Sequence, residues 1–340
     1  MHALRFTALL ALALVCLKLA PARSQEEGTL QHCWTPAALA GTKTELTPMR
    51  AAHHLDLAPL KETKLPAATP VPPELRGSIR GVELPAGEKL IALTFDLCET
   101  DGDIAGYDGR IVDLLREQQI KATFFAGGKW METHPERAQQ LIADPLFEVG
   151  SHGLRHLDLS HASGETLTEE ITLTEAAFAR ARNALTAKQC AVDAATVSAS
   201  LAPRMTVMRF PYGRCDVTSL AAVADAGLLA IQWDVVTGDP DPRQSAKAIA
   251  KTIVKRAHPG AIVVAHANGR GWHTAEALAR AIPELKAEGY RFVTVSELVA
   301  AGKPVIAATC YESKPGDAKR VAHAAGHGTH DFHSIFDGLN

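Results

Sequence analysis

Five polar side chains that could take part in catalysis stand at or just beyond the ends of short apolar runs: Asp96, His152, His156, Arg209 and His266. A single aspartate in such a place most often caps a turn, and a single arginine often forms a structural salt bridge. Because five such groups gather at the ends of four apolar runs, a shared site is favoured over five independent structural roles. Carboxylate, guanidinium and imidazole are the groups that acid–base and metal-assisted catalysis employ.

The histidines are spaced by four residues after the apolar run 147–150. This spacing places His152 and His156 on one side of a helical turn, within reach of one ion. The same pattern also occurs among solvated surface histidines. With an oxygen ligand, the imidazole pair suits zinc or a similar divalent metal that keeps open positions for water and substrate.

Two further groups could transfer or hold protons. Arg209 precedes the turn residues Pro211, Tyr212 and Gly213, and its guanidinium could orient a carboxylate through a bidentate bond. His266 closes an apolar run, and a nearby aspartate would raise its pKa by favouring the imidazolium. Asp234 and Asp239 are available for that role, although either could instead cap a loop.

From Lys89 onward, apolar runs alternate with amphipathic stretches, which predicts strands alternating with helices. Apolar strands that alternate with helices indicate a parallel sheet covered on both faces, closed as a barrel or open and doubly wound. The polar groups at the strand ends favour a barrel, in which all strand ends open on one mouth. The predicted strands are 90–97, 122–126, 147–150, 207–210, 229–235, 261–265 and 291–295, and the predicted helices are 107–118, 135–146, 167–185, 220–226, 246–256 and 274–288.

The chain divides into four predicted segments. Residues 1–24 combine an early arginine, an apolar run and a small-residue cleavage pattern, which indicates a secretory signal peptide. The proline-rich residues 25–88 are expected to form an extended arm, residues 89–302 the barrel, and residues 303–340 a flexible tail that contains several histidines. The protein is therefore expected to be periplasmic or secreted.

The charge and hydropathy of the chain exclude some partners. Cleavage of the predicted signal peptide removes Arg5, Lys18 and Arg23 and takes the formal charge from −3 to about −6. No basic stripe remains to bind a nucleic acid backbone. The apolar run 6–17 is shorter than the roughly 20 residues of a membrane span, and no second such run follows. Neither nucleic acid nor stable membrane insertion is expected.

Five cysteines follow the predicted signal peptide: Cys33, Cys98, Cys190, Cys215 and Cys310. In an oxidising compartment, an odd number leaves at least one thiol unpaired. Two pairings are considered, Cys33 with Cys310 to join the two tails, and Cys98 with Cys215 beside the predicted strand ends. A Cα separation beyond about 7 Å would exclude either pairing.

The ordered motifs resemble the polysaccharide deacetylase, or NodB-type, family over about residues 85–300. They are Thr94-Phe95-Asp96, His152-x-x-x-His156, Arg209-x-Pro211-Tyr212, Trp233 with the downstream Asp239, and His266, accompanied by the stretches 122–125, 258–262 and 289–296. The resemblance implies a distorted (β/α) barrel and metal-dependent hydrolysis of N-acetyl groups on amino sugars.

The resemblance also implies roles for individual residues. Asp96 matches the general base and Arg209 the group that holds it. The other matches are His152 and His156 as metal ligands, the backbone N–H of Tyr212 as an oxyanion donor, His266 as the acid that protonates the departing amine, and Asp239 as the partner of His266.

One departure from the family pattern concerns the metal. The family usually places a second aspartate directly after the first as the third metal ligand, and this chain has Leu97 there. Glu99 or Cys98 could reach in, Asp96 could bind the metal itself, or two histidines and waters could hold it. Of these we predict Glu99. A second departure is Pro240, where the family often has tryptophan.

The sequence thus predicts an exported N-deacetylase that acts on acetylated amino-sugar polymers or oligomers with a divalent metal such as zinc. Two alternatives remain open. One is a carbohydrate-binding protein that keeps the barrel cleft but lost catalysis with the missing aspartate. The other is a metal-independent amidohydrolase that acts on a substrate other than a polysaccharide.

Overall fold

The computed structural model describes residues 29–51, 54–192, 201–312, 314 and 317. The predicted signal peptide and the histidines of the predicted tail lie outside these residues. Within the part of the chain that is described, no helix is long and apolar enough to cross a membrane.

Ten of the twelve described strands form one sheet around a central core. The sheet order is β12-β2-β8-β7-β6-β5-β3-β10-β9, and β11 pairs separately with β3. All of these pairs are parallel except β12 with β2. The strands are β1 Met49–Arg50, β2 Ser78–Glu83, β3 Leu90–Leu97, β4 Asp103–Ile104, β5 Ala122–Ala126, β6 Phe147–Ser151, β7 Val207–Met208, β8 Leu229–Ile231, β9 Val235–Val236, β10 Ile262–His266, β11 Arg291–Phe292 and β12 Lys303–Ala307.

Helices cover the outside of the sheet. The described α-helices are α1 Thr29–Cys33, α2 Pro36–Leu39, α3 Lys43–Leu46, α4 Ala58–Lys61, α5 Gly109–Glu117, α6 Gly128–Thr133, α7 Pro135–Ala143, α8 Gly164–Thr186, α9 Gln189–Val192, α10 Val217–Asp225, α11 Ala246–Arg256, α12 Thr274–Ala287 and α13 Val295–Ala300. An isolated antiparallel bridge between Gly81 and Ala261 brings β2 against the start of β10, so the sheet curls into the distorted (β/α) barrel that the sequence predicts.

The alternation of side chains along β3 separates two cores. Ile91, Leu93, Phe95 and Leu97 pack with the helices in the large outer core. Side chains on the other face of β3, such as that of Ala92, pack instead inside the barrel against residues of other strands. Because side chains on a strand point alternately to its two faces, Asp96 lies on the barrel side at the end of β3.

The structure departs from the predicted segments and elements at several points. Residues 229–235, predicted as one strand, divide into β8 and β9. The predicted arm contains four short helices and contributes β2 to the sheet, and the first residues of the predicted tail form β12 beside it. Residues 291–295, predicted as one strand, divide into β11 and the start of α13. Proline-rich and short segments carry little periodicity, so the sequence pattern gave no sign of these pairings.

Both cysteine pairings considered from the sequence are wrong. The disulfides join Cys33 to Cys190 and Cys215 to Cys310, and Cys98 is a free, buried thiol. The first disulfide fastens α1 to α9 at the periphery. The second fastens the segment after β12 to the loop that follows the Pro211–Gly213 turn.

Candidate active site

Asp96 and Arg209 form a buried ion pair at the ends of β3 and β7. The Nη1 atom of Arg209 donates to Oδ1 of Asp96 at 2.8 Å, and its Nη2 atom donates to the carbonyl of Gln232 at 3.3 Å. Burial raises the pKa of Asp96, but Arg209, His152 and His266 lower it more strongly, so the pKa lies below its ordinary value. The pair therefore keeps a carboxylate ionised inside a buried site.

The loop after β6 carries the two histidines. Nδ1 of His152 lies 2.8 Å from the carbonyl oxygen of Arg209, so its N–H donates there and Nε2 is left to face the cleft, 3.7 Å from Asp96. His156 adopts a positive φ of 57°, which turns its ring to within 5.0 Å of the His152 ring. Burial lowers the pKa of both imidazoles, and that of His156 falls well below its ordinary value. Neutral imidazole is the form that binds metals.

Glu170 on α8 shapes this loop and was not singled out from the sequence. Its fully buried carboxylate accepts hydrogen bonds from the backbone N–H groups of Leu154 and Arg155 and from the side chain of Arg155. A glutamate on the buried face of an amphipathic helix is the signal that could have identified it, because such a carboxylate needs partners.

The structure does not bring Glu99 to the histidine pair, contrary to our prediction. Its carboxylate turns away from the cleft and accepts from the backbone N–H of Ala105 at 2.9 Å and from the hydroxyl of Thr133 at 2.9 Å. Its other oxygen lies 3.7 Å from the buried ammonium of Lys129. These partners hold Glu99 in the outer core rather than at the barrel mouth.

Cys98 joins the histidines instead. One donor atom from each of Cys98, His152 and His156 can be chosen so that all three lie within 4.8 Å of one another, and all three residues are buried. One sulfur and two imidazole nitrogens form a donor set that suits zinc. The residues present therefore fit the divalent metal that the sequence predicts.

His266 and Asp239 form a second pair on the other side of the cleft. Nδ1 of His266 lies 3.0 Å from Oδ1 of Asp239, whose Oδ2 accepts from the backbone N–H of His266 at 2.7 Å and from the hydroxyl of Thr274 at 2.8 Å. Burial lowers the pKa of His266, but the charge of Asp239 and its hydrogen bond raise it more strongly, so the pKa is raised overall. This imidazole is poised to carry a proton.

The turn after β7 presents Tyr212 to the cleft. Tyr212 and Gly213 both have positive φ, at 57° and 63°. A Cβ at Gly213 would lie 2.7 Å from the ring of Trp233, so glycine is required for this close approach. The turn brings the ring of Tyr212 to within 4.4 Å of the His156 ring.

One cleft is shared by all the predicted site residues except Glu99 and Arg209. Its lining includes Asp96, His152, His156, Tyr212, Asp239 and His266. Cys98, Trp233 and Glu312 also line it, and Arg209 lies behind Asp96 with no exposed surface. The indole Nε1 of Trp233 is buried without a hydrogen-bond partner among the described residues.

The sequence and fold match known proteins. The polysaccharide deacetylase family model matches residues 83–231. A peptidoglycan-N-acetylglucosamine deacetylase of Bacillus cereus is 32% identical over 222 residues, which cover 64% of this chain and 91% of that protein.

Two solved structures share the fold. A peptidoglycan N-acetylglucosamine deacetylase in complex with a naphthalenyl N-oxidanyl-benzamide superposes with a TM-score of 0.54 at 24% identity, over 66% of this chain and 93% of that chain. A mutant of a CE4 family pseudoenzyme with restored enzymatic activity superposes with a TM-score of 0.52 at 25% identity, over 66% of this chain and 71% of that one. On the strength of the sequence match to the Bacillus cereus protein, this chain belongs to the polysaccharide deacetylase family.

Proposed function

We propose that this protein is an exported, metal-dependent deacetylase that hydrolyses N-acetyl groups on the amino sugars of a cell-wall or surface polysaccharide, such as the N-acetylglucosamine of peptidoglycan. One observation carries the proposal: a carboxylate held by an arginine, a histidine pair and a histidine–aspartate pair line one cleft. Amide hydrolysis needs a base for water, an electrophile for the carbonyl and an acid for the departing nitrogen.

Asp96 acts as the general base in this proposal. Arg209 engages Oδ1, which leaves Oδ2 on the cleft side to take a proton from the attacking water. The lowered pKa of Asp96 keeps the base ionised at neutral pH. Arg209 therefore works by holding and ionising the base, behind the reacting atoms.

The remaining groups act on the amide. Bound to His152 and His156, a divalent metal such as zinc would polarise the carbonyl and acidify water. The backbone N–H of Tyr212 would donate to the oxyanion. His266, with its raised pKa, would then give its Nε2 proton to the departing amine while Asp239 stabilises the imidazolium.

Export is supported by the two disulfides, because disulfides persist mainly in oxidising compartments. Both close long loops of the chain, with sequence separations of 157 and 95 residues. Export agrees with a substrate in the cell wall.

The proposed function is tested by acetate release from N-acetylglucosamine oligomers and from peptidoglycan. The purified protein is assayed as isolated, after chelation, after zinc is restored, and as Asp96→Asn. We expect release that chelation abolishes, that zinc restores and that the substitution eliminates.

Two other results would each support an alternative. Saturable glycan binding without acetate release under any metal would indicate a carbohydrate-binding protein derived from the same fold. Acetate release that withstands complete metal removal would indicate a metal-independent amidohydrolase.

A further inference from the structure

We infer that the Cys98 thiolate is the third protein ligand of the metal, in place of the family's aspartate, which makes this a two-histidine, one-cysteine site that prefers zinc to oxygen-seeking metals. This inference rests on the metal-dependent function proposed above. It concerns how the metal is held, and it can be tested without turnover.

The course of β3 explains why the ligand moves by one residue. Leu97 is fully buried in the outer core, so the position at which the family usually has its second aspartate points away from the cleft. Asp96 lies on the barrel side, and the next side chain with the same direction is that of Cys98. Both Asp96 and Cys98 line the cleft. An extended backbone therefore offers residue 98, and not residue 97, to the histidines.

The two carboxylates that flank Cys98 in the sequence are already engaged. Asp96 is bound through Oδ1 to Arg209, and Glu99 is fixed by Ala105 and Thr133 on the far side of the strand. Cys98 belongs to the group of three whose possible ligand atoms lie within 4.8 Å of one another. Cys98 can therefore supply a third donor atom beside the two imidazoles.

Burial raises the pKa of the Cys98 thiol to about 12, so a metal would displace its proton on binding, and Asn268 offers a hydrogen bond to the resulting thiolate. The Nδ2 atom of Asn268 lies 3.0 Å from the Cys98 Sγ atom and 3.0 Å from the Cys98 carbonyl oxygen, and the residue is fully buried after β10. An N–H group that donates to sulfur orients the ligand and stabilises its negative charge. The amide of Asn268 therefore serves as an outer-shell partner for the proposed metal ligand.

The donor set determines which metal binds. Thiolate with two imidazoles suits zinc, with a fourth position open, whereas magnesium, calcium and manganese prefer oxygen ligands. A site with aspartate in place of cysteine would be more tolerant of the harder metals.

X-ray absorption at the zinc edge tests the inference directly. In zinc-loaded full-length protein we expect one sulfur neighbour at about 2.3 Å and nitrogen neighbours at about 2.0–2.1 Å. The cobalt-substituted protein should show a thiolate-to-cobalt charge-transfer band. Both signals should vanish in Cys98→Ser, with zinc affinity reduced by more than about 100-fold, because even outer-shell substitutions cost 10- to 100-fold.

Companion variants separate ligand loss from misfolding. Asn268→Leu should keep the sulfur neighbour of zinc but lower the zinc affinity by about 10- to 100-fold. Cys98→Asp should bind metal through oxygen and shift the preference toward manganese. Circular dichroism and melting of each metal-free variant establish that it is folded.

Sulfur-free zinc coordination in the wild type, or unchanged zinc affinity in folded Cys98→Ser, would overturn the inference. Either result could coexist with chelator-sensitive acetate release, which would leave the proposed function intact. Sulfur-ligated zinc without any acetate release would instead overturn the proposed function alone.

A second observation carries an independent proposal, which also rests on the proposed substrate class. We propose that the C-terminal strap, defined as residues 303–312, places Glu312 in the cleft to recognise a free amine on a sugar next to the reacting one. Glu312 lines the cleft together with Asp96, His156 and Tyr212. No described residue is hydrogen-bonded or ion-paired to its carboxylate.

Several contacts fix the strap in place. β12 pairs with β2, and Cys310 is buried and bonded to Cys215. The buried guanidinium of Arg80 donates to the carbonyl oxygens of Tyr311 and Glu312 at 2.6 and 2.8 Å and stacks on the Tyr311 ring. A carboxylate that no described residue pairs with, held at the wall of the cleft by an anchored backbone, favours an ammonium ligand. Partially deacetylated glycans carry this group.

Calorimetry on the inactive Asp96→Asn protein tests this proposal without turnover. It compares the affinities for a fully acetylated oligomer and for one of equal length that contains glucosamine. We expect the glucosamine-containing oligomer to bind more tightly, and Glu312→Gln to reduce that preference by about threefold to tenfold, as for a partly solvated ion pair. Glu117→Gln makes the same charge change on the exposed end of α5 and should leave the preference unchanged.

Equal affinities for the two oligomers, or a preference that survives Glu312→Gln, would overturn this proposal. The outcome does not depend on acetate release. A failed deacetylase assay would therefore contradict the proposed function without deciding the role of Glu312.

Discussion

Imidazoles on the two sides of the cleft have opposite pKa shifts. On the side proposed to bind the metal, His152 donates to a neutral backbone carbonyl and is fully buried, and its pKa is lowered. On the side proposed to supply the acid, His266 is partly exposed and is bound to the carboxylate of Asp239, and its pKa is raised. The partner of Nδ1 thus decides whether the other nitrogen offers a lone pair or a proton.

This difference explains how one cleft can carry both functions of amide hydrolysis. A neutral imidazole binds metal, and an imidazolium gives up a proton to the departing nitrogen. In the proposed mechanism, substitutions on the metal side should weaken metal binding or remove the general base, whereas substitutions on the acid side should shift the pH dependence of kcat.

The largest effect is expected from Asp96→Asn. The substitution removes the base and leaves the buried guanidinium of Arg209 without its charged partner. We expect kcat for acetate release to fall toward the upper end of the 10²- to 10⁴-fold range for a general base. Zinc content, measured by atomic absorption, should persist, and its loss would reassign Asp96 as a metal ligand.

His266→Ala should reduce kcat by about 10²- to 10⁴-fold, because the departing amine loses its proton donor. Zinc affinity should stay within about twofold of wild type, since His266 is outside the metal donor set. Substrates with a more acidic leaving amine should recover part of the rate. Equal losses on all substrates would contradict the acid role.

Glu170→Gln should weaken zinc binding by about 10- to 100-fold, as expected for a residue that supports metal ligands. The carboxylate holds the backbone of the His152–His156 loop through two N–H groups, and the neutral amide accepts these bonds less strongly. Zinc titration in a competing chelator measures the change. Glu165→Gln, on the exposed first turn of α8, serves as the control and should bind zinc like wild type.

Asp239→Asn should move the alkaline limb of the kcat profile to lower pH. Asp239 raises the pKa of His266, so a neutral partner lowers that pKa and leaves less imidazolium at a given pH. At a pH well above the wild-type pKa, a pKa that is lower by one reduces the protonated fraction of His266 by about tenfold. Acetate release measured across the pH range tests this prediction. An alkaline limb that stays in place would show that Asp239 does not set the pKa of the general acid.

The sequence predicted the parts of the site that depend on regular strands. The prediction for β3 was correct in both bounds, and side-chain alternation then determines that Asp96 faces the cleft. Cys98 stands one residue beyond β3 but continues its alternation and lines the cleft. Glu99 is instead held by partners such as Thr133 that the sequence does not place nearby. The disulfides and β12 were missed for the same reason, because each joins segments far apart along the chain.

The smallest effect, and the sharpest test of the acid side, is expected from Thr274→Val. The buried hydroxyl of Thr274 donates to Oδ2 of Asp239 and thereby offsets part of its charge. Without this donor the carboxylate acts more strongly on His266, so the alkaline limb should move slightly to higher pH, opposite in sign to Asp239→Asn. The lost bond to a charged group should also lower the free energy of unfolding by about 1.5–3 kcal/mol, measured by urea denaturation.

Thr172→Val supplies the matched control, because its hydroxyl donates only to a helical carbonyl on the exposed side of α8. It should move neither the limb nor the unfolding midpoint appreciably. A shift of the limb to lower pH in Thr274→Val would mean that the hydroxyl mainly positions Asp239. In that case the orientation of the carboxylate, more than its charge, would distinguish His266 from the histidines on the metal side.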